Sequence, residues 1–170
     1  PNTLGRASYF GHLCIDLNGL ECPCGRRGCW EMYVSATALE RRAAEVLASK
    51  QLLPRLGKNP TAQQIVAAAQ AGDEFALQLL DELASFLAIG LADLANLFAP
   101  PLIVVGGGLS LAGELLLAPS RQQMNALRLP IFPEIALVAS QLPFEAGLIG
   151  AALLALERYG GVHVRDNGST

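Results

Sequence analysis

Charge is scarce in this chain: only 16% of its 170 residues are Asp, Glu, Lys or Arg, against roughly 25% in soluble domains at large. Aromatic residues are few as well, at 6%, with a single Trp. The twelve Lys and Arg are outnumbered by fifteen Asp and Glu, so the net charge is −3, and basic residues adjoin only at Arg26-Arg27 and Arg41-Arg42. A free-standing nucleic-acid binder carries a basic face, so any DNA contact must come from a part outside these residues. Long apolar runs are missing too. The most continuous, Leu83–Ala92 and Ala146–Leu156, fall short of the roughly 18 to 20 residues of a membrane span, so no membrane role is expected. No charged segment followed by an apolar stretch and a cleavage site is visible at the start, and a cytoplasmic setting is expected.

Apolar residues are abundant instead, at 52% with a mean hydropathy of +0.37. Such a chain buries surface readily, which excludes disorder. Its length suits one domain or one lobe of a larger protein, and the opening Pro1-Asn2-Thr3, without Met, points to a piece of a longer chain.

Periodicity divides the chain. Phe10–Leu17 alternates loosely and reads as a short strand before the Asn18-Gly19 turn. A helical pattern runs from Trp30 to about Lys50, ended by Pro54, Gly57 and Pro60. Thr61 caps a short helix through Ala69, and Asp73 opens a long one to about Phe98 whose apolar set covers more than one stripe. Pro100-Pro101 stops it. Leu102–Val105 is short, apolar and β-branched, the pattern of a strand covered on both faces, and Ile135–Ala139 reads as another buried strand. Helices are expected at about Ser110–Ala126, with a disturbance at Pro119, and at Phe144–Arg158. The tail 160–170 reads as frayed. Strands alternating with helices give an α/β class with mostly parallel pairing.

The densest chemistry lies at His12, Cys22, Cys24 and Cys29, spaced H-x9-C-x-C-x4-C. Three thiolates and one imidazole make a closed tetrahedral set suited to structural Zn2+. Gly25 and Gly28 let the loop fold back, and Arg26 or Arg27 can offset the negative charge. Two disulfides or four ordinary buried thiols are the alternatives, disulfides implying export that nothing signals. Cys14 shares a strand face with His12 and could compete as a ligand, though a core position suits it better. Gly106-Gly107-Gly108 follows a buried strand and leads into a helix, where backbone can approach a nucleotide; a tight packing turn explains it equally. His163 has no partner. Asp93 and Asn96 read as a hydrogen-bonded pair, and Arg121, Arg128 and Arg158 as surface charge.

Gly11-His12, Asp16, Asn18-Gly19 and Cys22-Pro23-Cys24-Gly25-Arg26-Arg27-Gly28-Cys29-Trp30-Glu31 resemble the signature of the ROK family (repressors, open reading frames and sugar kinases). Asn96–Pro100, Ile103–Gly108 and Gly147–Ala152 are similar to later family segments. The resemblance implies the C-terminal lobe of an actin-like, ribonuclease-H-like ATPase fold, incomplete here. Its parts would be a zinc loop 12–31, a helical insert at about 30–98, a strand, Gly turn and helix at about 102–126, and a last strand and helix at about 135–158. It implies that His12 faces a sugar as well as the ion, and that Glu31 hydrogen-bonds sugar hydroxyls, a surface Glu being the plainer alternative. It assigns Gly106, Gly107 and Gly108 to the nucleotide side. Family members usually dimerise, so a homo-oligomer is expected. Tyr9 stands where the family places a glutamate, and the family's phosphate loops and catalytic aspartate find no match here. The stretch Cys29–Ser35, with Trp30 where kinase members more commonly have Leu, looks more like repressor members, and the lost glutamate suits a sensor. A sugar-sensing portion of a transcriptional regulator, lacking its DNA-binding domain, is therefore the expected function. The other reading is part of an ATP-dependent sugar kinase, with ATP and Mg2+ as cofactors.

Overall fold

A computed structural model describes residues 9–50, 56–142 and 144–159. The chain runs through α1 (Glu31–Val34), α2 (Ala36–Lys50), α3 (Ala62–Gln70), α4 (Glu74–Phe98), β1 (Leu102–Val105), α5 (Glu114–Leu127), β2 (Ala136–Ala139) and α6 (Ala146–Tyr159). Short 3-10 segments lie at Phe10–His12 and Gly108–Ala112. His163 and the tail from Gly160 lie outside the described residues, as does Pro54.

Helix starts follow their caps. The Thr61 hydroxyl accepts from the Gln64 N–H while the Gln64 side chain accepts from the Thr61 N–H, a reciprocal box opening α3. The Asp73 carboxylate accepts from the Ala76 N–H at 2.9 Å and starts α4. Ala99, at φ 45°, ends that helix ahead of Pro100. The helical run expected from Trp30 is broken at Ser35, whose backbone is extended and whose hydroxyl accepts from the Ala38 N–H at 3.1 Å. Serine prefers a cap to a helix interior, so one expected helix becomes α1 and α2.

The core gathers around α4. Leu79, Leu80, Leu83, Leu87 and Leu91 are buried along it, with Ala76, Ala84, Ala88 and Ala95 between them. The small residues let α5 lie close, and the buried Ser120 hydroxyl satisfies itself on the Leu116 carbonyl at 2.7 Å. Each buried leucine is worth about 1.5–3 kcal/mol over exposure. At 25 residues α4 is long and apolar enough, by length and composition, to cross a membrane. Here it is the central helix, packed by α1, α2, α3 and α5.

The described sheet has two parallel strands in the register Leu102 with Ala136 through Val105 with Ala139. Ile103, Val105 and Leu137 turn to the core, but Leu102, Val104 and Val138 are 48%, 54% and 41% exposed. The expectation of strands covered on both faces is thus corrected: helices cover one face only among the described residues. The expected strand at Phe10–Leu17 is also corrected. It is a 3-10 turn followed by one antiparallel bridge, Cys14 with Cys29, because Asp16 turns back to accept the Asn18 N–H at 3.0 Å. Arg121 and Arg128 are not free surface charges. Arg121 binds Glu114 and, at 2.9 Å, the Leu137 carbonyl, and Arg128 binds the Phe132 carbonyl. Asn96 pairs with the Leu129 N–H at 2.9 Å rather than with Asp93.

Candidate metal centre

Backbone hydrogen bonds build the loop. Ile15 N–H donates to the Gly28 carbonyl at 2.8 Å and Trp30 N–H to the Leu13 carbonyl at 2.7 Å, locking the two ends of the loop together. Inside, Cys22 N–H donates to Arg26 at 2.8 Å and Gly25 N–H to Cys22 at 2.9 Å, a tight reversal. Gly28 is at φ +67°, and a Cβ there would sit 1.6 Å from the Asp16 carbonyl oxygen; only glycine fits.

Trp30 anchors the loop to the core most deeply, while Phe10, Leu13 and Ile15 pack partly buried against it. Trp30 is buried and its indole N–H donates to the Phe86 carbonyl at 2.8 Å. Its ring lies on α4 at Gly90, where a Cβ would come within 2.2 Å of it. Tyr33, one turn on, accepts the Leu20 N–H at 3.0 Å and packs on Phe86.

This folding brings the ligand atoms of His12, Cys22, Cys24 and Cys29 within 4.8 Å of one another. Cys24 Sγ lies 3.6 Å from Cys29 Sγ, and Cys22 Sγ lies 3.7 Å from His12 Nδ1. A tetrahedron with zinc–sulfur and zinc–nitrogen bonds of ordinary length has edges of about 3.5 to 3.8 Å, so the donor set could hold zinc. None of the four cysteines is joined in a disulfide in this structure. Cys14 stays out of the set. It is exposed rather than in the core, and its thiol donates to the Arg27 carbonyl at 3.4 Å.

The electrostatics are uneven. Cys24 is pulled down to about 6, because the Arg26 backbone N–H and then its guanidinium favour the thiolate. Cys22 is pushed up to about 12: the Cys24 backbone N–H favours its thiolate, but burial and the Glu31 and thiol contacts outweigh that. Burial raises Cys29. Of the two adjacent arginines, Arg26 serves the cluster and also donates to the His12 carbonyl at 2.6 Å. Arg27 is turned to Glu21 and Gly19.

Glu31, at the start of α1, completes the site. Its Oε1 is 3.1 Å from His12 Nδ1 and 3.2 Å from Cys22 Sγ. The Tyr9 ring stacks over His12 with centroids 6.1 Å apart. The Gly106–Gly108 turn is a separate feature between β1 and the following 3-10 segment, with Gly107 at φ +82° and open space where its Cβ would be. Sequence reasoning missed a cavity of about 720 Å³ under Asn18–Arg27, floored by Leu20, Leu79 and Leu83; its lining comes from segments far apart in the chain. It also missed the Trp30 seat, for which Gly90 within a long helix was the available signal.

Fold and site together define an α/β domain carrying a Cys3His cluster beside a carboxylate. The ROK family profile matches residues 3–158, and the chain belongs to that family. It is 37% identical over 163 residues to a glucokinase of Thermotoga maritima, covering 92% of this chain and 51% of that protein. To a xylose repressor of Bacillus spizizenii it is 28% identical over 159 residues, covering 91% and 38%. Among solved structures it resembles a ROK family glucokinase from Streptomyces griseus in complex with glucose and AMPPNP. That match has a TM-score of 0.81 and 39% identity, over 89% of this chain and 52% of the other. The chain spans about half the length of the curated glucokinases it matches.

Proposed function

We propose that this chain is the zinc-organised, sugar-recognising part of a ROK sugar kinase. The observation that carries the reading is the meeting of His12, Glu31 and the three thiols at 3.1 to 3.7 Å. Zinc, when bound, supplies a rigid cross-link through His12, Cys22, Cys24 and Cys29. His12 turns Nδ1 to the sulfurs, so Nε2 is the nitrogen left for a ligand hydroxyl, its tautomer set from the other side of the ring. Glu31 touches the cluster with Oε1 and can accept a sugar hydroxyl in a charge-assisted bond. The Gly106–Gly108 turn, open at Gly107, fits the close approach of a nucleotide, which in a kinase would be ATP with Mg2+. Greater identity to glucokinases than to xylose repressors favours the kinase over the regulator expected from the sequence. The regulator reading keeps one observation in its favour: neutral Tyr9 stands beside His12 where the family signature has a glutamate. In that reading DNA contact belongs outside these residues, and homo-oligomer formation suits either.

The test is calorimetry and imidazole NMR on the zinc-loaded chain with glucose, N-acetylmannosamine and xylose. The expected result is weak saturable binding of one sugar that shifts the His12 ring signals and is lost in Glu31→Gln. Unmoved His12 signals at saturating concentrations of all three sugars would overturn the proposal. Coding sequence joined upstream of Pro1 separates the two readings: a phosphate loop supports the kinase, a helix-turn-helix the regulator.

A further inference from the structure

One thiol of the loop has no part in the metal set or in sugar recognition. We propose that Cys14 forms a peroxide-sensitive pair with Cys29, and that closure of this pair to a disulfide unloads the metal site. The inference goes beyond sugar binding and concerns how the centre is kept or lost.

Backbone pairing carries it. Cys14 and Cys29 are directly opposed across an antiparallel bridge. The flanking bonds, Ile15 N–H to Gly28 and Trp30 N–H to Leu13, make this a non-hydrogen-bonded pair. Opposed residues in such a pair project to one face with Cα atoms about 4.5 Å apart. Disulfides span Cα separations of about 4.4 to 6.8 Å, so the backbone is already set for the bond. The Cys14 thiol rests on the Arg27 carbonyl at 3.4 Å, and rotation about χ1 is the freedom through which its sulfur can turn toward Cys29.

Exposure separates the roles. Cys14 is open to solvent, whereas Cys29 is fully buried. With metal bound, the sulfurs of Cys22, Cys24 and Cys29 are shared with the ion, and Cys14 is the uncommitted thiol. Its sulfur attacks one oxygen of hydrogen peroxide; the O–O bond breaks, water leaves, and Cys14 becomes a sulfenic acid. The Cys29 sulfur then attacks the Cys14 sulfur, the S–O bond breaks, and a second water leaves. The two sulfurs are oxidised by two electrons in total and the peroxide is reduced to two waters. If Cys29 held an ion, forming the disulfide would withdraw its sulfur from the donor set, the second water taking its proton from solvent, and the three donors left would hold the metal less tightly.

The experiment treats the zinc-loaded full chain with hydrogen peroxide, follows zinc release with a chromogenic chelator, and maps disulfides in non-reduced peptides. A Cys14–Cys29 disulfide with one zinc released per chain is expected, reversed by dithiothreitol. Cys14→Ser, at an exposed position and checked for unchanged circular dichroism, is expected to slow release several-fold. A Cys24–Cys29 or Cys22–Cys24 disulfide with Cys14 still open to alkylation would overturn the inference, as would release from Cys14→Ser at the unmutated rate. Disulfide mapping reads the thiol pair whether or not metal is present, so a chain that takes up no zinc fails the metal assignment separately.

Discussion

The loop 9–31 and the bundle of α3, α4 and α5 are ordered by different forces. In the bundle, leucines and alanines of α4 meet α5 and α3 across surfaces without charge, and removal of apolar area from water supplies the stability. In the loop, the buried side chains between residues 9 and 29 are those of Cys22 and Cys29 alone. Their sulfurs are donors to an ion rather than packing material. Short backbone hydrogen bonds and glycines set the loop's path. Trp30 is the buried apolar side chain that ties it to the bundle, with Phe10, Leu13 and Ile15 partly buried against the same core. A region that cannot bury enough of itself needs another source of order, and a shared ion is such a source.

The comparison breaks most visibly on metal removal. Structural zinc contributes on the order of 10 kcal/mol to folding in small zinc domains, so a chelator should strip amide protection from residues 12–31 while leaving α4 and α5 protected. Hydrogen exchange with and without chelator checks this, and equal loss in both regions would show that the bundle depends on the ion too. Acid should act in the same direction as the chelator, since protons compete for every donor.

Trp30→Ala tests the link between the regions. Removing a buried Trp costs about 3–5 kcal/mol, read by chemical denaturation, and because the loop loses its seat at Gly90 its zinc affinity should fall as well. Normal zinc affinity in this variant would make the donor set independent of the Trp30 seat. Gly90→Ala attacks the same seat from the helix side and should cost about 1–3 kcal/mol through overpacking. Thr61→Ala sharpens the contrast with the smallest effect. Loss of the cap should cost about 1 kcal/mol in the bundle and leave zinc affinity unchanged.

Much of this was legible in local pattern. The start of α3 at Thr61 and of α4 at Asp73, and the stop before Pro100, are each written in residues that touch their own near neighbours. The ligand spacing of Cys22, Cys24 and Cys29 is local in the same sense, since a loop of that length has few ways to fold back. Ser35 escaped because its competition with the helix is a small energy that neighbouring residues do not advertise. The one-sided burial of Leu102 and Val104 escaped because an apolar run reads the same whether one face is covered or two. The true partners of Arg121, Arg128 and Asn96 escaped because carbonyls at Leu137 and Phe132 and the N–H at Leu129 are brought near only by packing.

The sequence by itself determined which residue types can ligate, where helices begin, and that a large apolar core must form, because capping, donor chemistry and hydrophobicity belong to residues or to short stretches. Only the tertiary structure decided that Trp30 lands on Gly90, that Glu31 meets His12 and Cys22, and that Cys14 faces Cys29 outside the donor set. Those placements depend on how backbone segments far apart in the chain are clamped and packed, and side-chain identity carries no record of that geometry.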